Sequence, residues 1–163
     1  MTQEDRLVKY DRMRYTKDSL SSSLVLLAIV LDALYFVSIY QSDVGSYYYT
    51  WAIGASILYN LVFLLVAFLC SEGVKNRTKG YTVPLLAIGA MQFVRIFWLP
   101  AKALDAVVEK AGEQLAAMTA QQHSYVVACL AISGVLCIAA AVISGINNAT
   151  LARYMRSLNE KTA

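Results

Sequence analysis

Apolar residues run along this chain in long blocks separated by short polar stretches, and inside the blocks apolar and polar positions do not alternate. Four blocks stand out. Residues 20–40 contain one charge, Asp32; residues 50–70 contain none; residues 81–99 contain one, Arg95; residues 125–147 contain none. A helix rises about 1.5 Å per residue, so about 20 apolar residues cross a hydrocarbon core of about 30 Å. Backbone groups cannot stay unpaired in lipid, and the strict alternation of a membrane β-barrel is missing, so each block is expected as a helix. The expected fold is an all-α integral membrane protein: one four-helix domain over residues 1–163, in contact with the lipid bilayer.

The stretches between the blocks carry weaker patterns. In residues 101–122, Leu104, Val107, Val108, Ala111, Leu115 and Met118 recur at helical spacing, with Lys102, Asp105, Glu109 and Glu113 opposite. That spacing predicts an amphipathic helix, separated from the third span by Pro100. Its apolar face would be Leu104, Val108, Ala111 and Leu115, and its acidic polar face favours docking on protein over anionic lipid. Residues 2–18 are expected as a short interfacial helix, with Thr2 and Asp5 resembling a capping box and Leu7, Tyr10 and Arg14 on one face. Asn147, Asn148 and Thr150 end the fourth span, and residues 151–158 could continue it. The first block is too long for a cleaved leader, and Gln41-Ser42-Asp43 after it offers no small-residue cleavage site.

Composition agrees with the blocks: 58% of residues are hydrophobic, only two are proline, and the mean hydropathy is +0.52. Charge adds an orientation. Eleven Lys and Arg residues lie in the N-terminal segment, the second connection (residues 71–80) and the C-terminal tail, against two, Lys102 and Lys110, on the other side. This bias predicts both termini in the cytoplasm, in a plasma membrane and most simply a bacterial inner one. The net charge of +3 follows from it and calls for no nucleic-acid partner. Tyr47, Tyr48, Tyr49, Trp51, Phe97 and Trp98 on the outer side, and Tyr81 and Tyr154 on the inner, fit interfacial belts.

A charge at mid-bilayer costs at least about 2.5–3.5 kcal/mol on insertion scales, so Asp32 and Arg95 demand an explanation. Asp32 is 12 residues above Leu20, about 18 Å; Arg95 is 14 above Tyr81, about 21 Å; Asn60 is 10 from Cys70, about 15 Å. Gln92 shares the face of Arg95, Ser56 that of Asn60, and Tyr35 lies one turn above Asp32. The five residues Asp32, Arg95, Asn60, Gln92 and Tyr35 therefore define an expected polar layer. It reads as an internal salt bridge that fixes helix order, as a pair with another subunit, or as a coupling carboxylate at Asp32. A fixed guanidinium beside the carboxylate counts against proton carriage.

The fourth block holds a second pattern. Cys129, Ser133, Cys137, Ala141, Gly145 and Ala149 fall at successive i+4 positions, and all are small. Such a stripe lets another helix approach closely, whether an internal neighbour or another subunit.

The chemistry that is missing narrows the function. One histidine, His123, cannot furnish bis-histidine haem ligation or a zinc site. The three cysteines lack C-x-x-C spacing, and no phosphate-binding glycine loop or nucleophile elbow occurs. No cofactor is expected, and no enzymatic activity. Four spans with a carboxylate in the first is an outline similar to that of small multidrug transporters. In that family the carboxylate is a Glu in a characteristic local motif, which this chain lacks, and dual-topology members have weak charge bias. The expectation is an accessory, scaffolding or regulatory subunit of a larger membrane complex such as a transporter, joined to partner subunits or to itself. The alternative is a small oligomeric transporter or channel with Asp32 in its pathway.

Overall fold

In the computed structural model, which describes residues 3–41, 50–78, 80–110 and 112–162, every apolar block is helical. The elements are α1 (Gln3–Tyr15), α2 (Ser19–Gln41), α3 (Thr50–Lys75), α4 (Thr82–Ile96), α5 (Leu99–Asp105), β1 (Val107–Lys110), β2 (Glu113–Ala116) and α6 (Ala120–Thr162). Four helical segments are long and apolar enough to cross a membrane: α2, α3, α4 with α5, and α6. Large apolar side chains such as Leu58, Leu61, Leu65 and Phe68 on α3, and Ile132, Val135, Val142 and Ile146 on α6, are exposed. Apolar surface on that scale is what lipid, not water, would cover.

The four helices form an antiparallel ring. α2 packs on α3 and α6, and α4 packs on α3 and α6. The register of α2 against α6 is fixed by three hydrogen bonds running down the pair: Gln122 Nε2 to the Ser38 carbonyl, 3.0 Å; Ser133 Oγ to the Ala28 carbonyl, 3.0 Å; and Asn147 Nδ2 to Asp18 Oδ2, 2.9 Å. α4 and α6 cross at Gly89 and Gly134. A Cβ built at Gly134 would stand 3.0 Å from the Gly89 carbonyl oxygen, so the two backbones touch there. The core is split in two. Val25, Phe63, Ala67, Val74, Leu85 and Ala140 belong to a cluster toward the end that carries both termini. Tyr35, Ile39, Leu99, Val126 and Leu130 belong to another toward the opposite end.

Helix ends follow local chemistry. Asp18 caps α2, accepting the Ser21 amide at 3.2 Å, and Thr119 caps α6, accepting the Gln122 amide at 3.2 Å. α3 closes with Thr78 N–H to the Gly73 carbonyl, 2.9 Å, and Arg77 N–H to the Val74 carbonyl, 3.0 Å. In this closing motif the penultimate position prefers glycine; here it is Arg77, held at φ 55°. α4 stops at Ile96 because Pro100 has no N–H for the Ile96 carbonyl and its ring would collide with that group. α6 is longer than the fourth block, running 43 residues without a break.

The segment 101–122 departs from the amphipathic helix expected there. Helix persists only to Asp105; Val107–Lys110 and Glu113–Ala116 pair as an antiparallel hairpin, with Val107 opposite Ala116 and Lys110 opposite Glu113. The β-branched pair Val107–Val108 favours extended backbone, and Gly112, at φ 83°, turns the chain at no steric penalty. The apolar stripe does not form one buried face: Leu104, Val107 and Leu115 are exposed, and of its described side chains only Met118 is buried, together with Ala103, Ala106 and Ala117. Ala111 and the side chain of Val108 lie outside the described residues, as do Thr2, Tyr47, Tyr48 and Tyr49 and the side chain of Trp51.

Candidate functional site

Between the two apolar clusters lies one polar layer. Asp32 from α2, Asn60 from α3, Gln92 and Arg95 from α4, and Ser133 from α6 are all buried, with Asp32, Gln92 and Ser133 fully so. The reason is geometric. Asp32, Asn60 and Ser133 lie well inside their helices and Arg95 in the last turn of α4; regular rise brings them level, and each occupies its helix's inward face.

The hydrogen bonds converge on Asp32 and Arg95. Arg95 Nη1 donates to Asp32 Oδ1 at 2.5 Å and to Gln92 Oε1 at 2.9 Å, and Arg95 Nη2 donates to Asn60 Oδ1 at 2.6 Å. Gln92 Nε2 donates to Asp32 Oδ1 at 2.9 Å and to Ser133 Oγ at 3.4 Å, and the Ser133 hydroxyl donates to the Ala28 carbonyl. The guanidinium also lies 4.5 Å from the centre of the Tyr35 ring and 4.7 Å from that of Tyr59. Cation–π contacts of this kind contribute about 2 kcal/mol each when desolvated. Four helices thus meet in one charge-neutral network, which satisfies ions that lipid could not.

Two features leave the layer incomplete. Asp32 Oδ2 is buried and has no hydrogen-bond partner. Beside Arg95 is a crevice of about 10 Å³, lined by Tyr35, Ser56, Tyr59, Arg95, Trp98 and Leu99, which is room for about one water molecule.

The five residues singled out for this layer, Asp32, Arg95, Asn60, Gln92 and Tyr35, come together. Two further members carried weaker signals. Tyr59 adjoins Asn60 in sequence, but only helix rotation decides whether its ring reaches Arg95. Ser133 belongs to the small-residue stripe, where its hydroxyl looked incidental. Of that stripe, Cys129, Ser133, Cys137 and Ala141 are buried, Gly145 is partly covered and Ala149 is exposed. Its buried part faces neighbours within the chain: Ser133 meets α2, and Cys137 and Gly145 meet α4 through Gly89 and Thr82.

A second polar seam, absent from the expectations, joins the helices at the basic end. Asp18 is 5% exposed, and its backbone N–H donates to the Lys75 carbonyl at 2.9 Å. The Ser22 and Ser71 hydroxyls share a hydrogen bond of 2.9 Å, joining α2 to α3. Neither seam nor layer gathers metal-binding side chains: among the described residues no three His, Cys, Asp or Glu come together in a way that could hold an ion.

No family model matches the chain, and no curated protein or solved structure is similar to it. The functional argument therefore rests on the geometry itself.

Proposed function

We propose that this chain is a non-catalytic accessory, scaffolding or regulatory subunit of a larger membrane complex such as a transporter. It sits in a plasma membrane, most simply a bacterial inner one, with both termini in the cytoplasm. The observation that carries this reading is the way the polar layer holds Arg95. Its guanidinium is bound by Asp32, Gln92 and Asn60 and flanked by two rings. A residue held in this way fixes helix order and rotation, which supports a structural role for the layer. The orientation rests on the charge bias of eleven Lys and Arg against two. The partner in this reading is another membrane protein, with no nucleic acid involved.

Purification from native membranes in mild detergent, followed by identification of what accompanies the chain, tests the proposal. A stoichiometric larger partner is the expected result, and that partner's activity then names the function. A lone homo-oligomer overturns it.

One observation favours a second reading, a small oligomeric transporter or channel with Asp32 in its pathway. Asp32 Oδ2 has no partner, and a water-sized crevice reaches Arg95 on the same layer. Under that reading Asp32→Asn leaves a folded protein whose pH-dependent flux in liposomes is lost. Unchanged flux removes it.

A further inference from the structure

The tail of α6 has two flanks. One is covered by α1, where the Tyr10 and Tyr154 rings lie 5.7 Å apart. The other borders a groove of about 370 Å³ whose wall is a single helical face, residues 148, 151, 152, 155, 156 and 159, closed by Arg77 from the connection after α3. Its polar lining is two arginines and two asparagines, and its apolar lining is Leu151, Ala152 and Met155. Among the described residues no carboxylate lines it.

Arg77 is placed there against the backbone's preference, at a positive φ that favours glycine. Its Nε donates to the Thr16 carbonyl at 3.1 Å, while its Nη1 is a buried donor without an acceptor. Neither Arg77 nor Arg156 forms an ion pair with any described residue. A guanidinium presents several donors in a fixed fork that matches phosphate oxygens. Asn148 and Asn159 add amides, which donate to the same kind of oxygen.

Level matters as well. Asn147, one residue before the groove begins, bonds Asp18 at the start of α2. Arg77 follows the last residue of α3 by two positions. The groove therefore opens where the apolar spans end, at the depth of lipid head groups. Leu151 and Met155 give it an apolar floor beside the charge.

We propose that the groove between Arg77 and the α6 tail binds a phosphate group, supplied by the head group of an anionic phospholipid. Arg77 and Arg156 grip the phosphodiester, Asn148 holds a remaining oxygen, and Leu151 and Met155 meet the apolar part of the lipid.

Calorimetric titration of the full chain in a neutral-headgroup detergent tests this. The probes are short-chain phosphatidylglycerol, short-chain phosphatidylcholine and inorganic phosphate. Phosphatidylglycerol is expected to bind saturably, one per chain, and more tightly than phosphatidylcholine. Arg156 is exposed, so Arg156→Gln should keep the thermal midpoint and weaken phosphatidylglycerol binding about tenfold. Arg153 lies outside this groove, in a separate one beside α1 lined by Leu7 and Tyr10; Arg153→Gln removes the same charge and should change binding less than about twofold. Arg77→Lys keeps the charge, loses the fork and should weaken binding severalfold. If inorganic phosphate binds as tightly as the lipid and with the same arginine dependence, the phosphate site stands and its ligand is soluble. Equal losses in Arg156→Gln and Arg153→Gln, or no saturable binding of either probe, overturns the proposal.

Discussion

Asp32 and Asp18 are both buried, 14 residues apart along the same stretch of chain, yet they are accommodated by unlike means. Asp18 caps α2. One of its oxygens takes the Ser21 amide and the other the Asn147 carboxamide, and no cation among the described residues forms an ion pair with it. Asp32 lies about 21 Å further up the helix axis. There every backbone N–H is already held by the helical ladder, so only side chains from other helices can solvate a carboxylate. It takes an arginine, two carboxamides, a serine and two aromatic rings to complete the arrangement. The difference teaches that a helix start is itself a solvent for negative charge, through its free amides and dipole. A helix middle is not, and a charge placed there dictates what its neighbours must be.

The contrast can be broken most severely at Arg95. Arg95→Gln leaves Asp32 with Gln92 as its sole strong donor and should cost about 3–5 kcal/mol in reversible unfolding from mixed micelles. Asp32→Asn should cost less, about 2–3 kcal/mol, because Arg95 keeps Asn60, Gln92 and both rings. The double variant Asp32→Asn/Arg95→Gln should lose clearly less than the sum; additive losses would dissolve the pairing. At the other aspartate the scale shrinks. Asp18→Ala removes a helix cap and one interhelical bond and should cost about 1–2 kcal/mol by the same measurement. A loss as large as that of Arg95→Gln would erase the distinction drawn here. Smallest is Ser22→Ala, which removes one hydroxyl pair between α2 and α3, about 0.6 kcal/mol for a typical interhelical bond in a membrane.

How much of this could be read before the coordinates depended on how regular the backbone is. Counting residues along an uninterrupted helix fixes depth, so the common level of Asp32, Asn60, Gln92 and Arg95 follows from arithmetic on four apolar blocks. Rotation is harder. Tyr59 reaches Arg95 only because α3 turns that way in the ring, and nothing in its own block signals it. The Asp18–Asn147 contact falls at block edges, where hydropathy carries no information. The hairpin was misread because residues 104, 107, 108, 111 and 115 satisfy helical periodicity equally well. Local chemistry decided against it: two adjacent valines, then Gly112 at a conformation other residues avoid. The small-residue stripe gave a face but not its neighbour, which is set by Gly89 on α4 meeting Gly134.

The length of α6 has a mechanical consequence. At 43 residues it is a rod of about 65 Å. It carries Ser133 of the central network and, about four turns later, the start of the tail. Sharp bends in helices come from prolines, Gly/Ser pairs, bulges or inserted groups. α6 contains no proline, and between the tail and Ser133 its one step of that kind is Ser144-Gly145. The tail and the buried charges are therefore ends of one continuous rod, whose weak point is that Ser–Gly step.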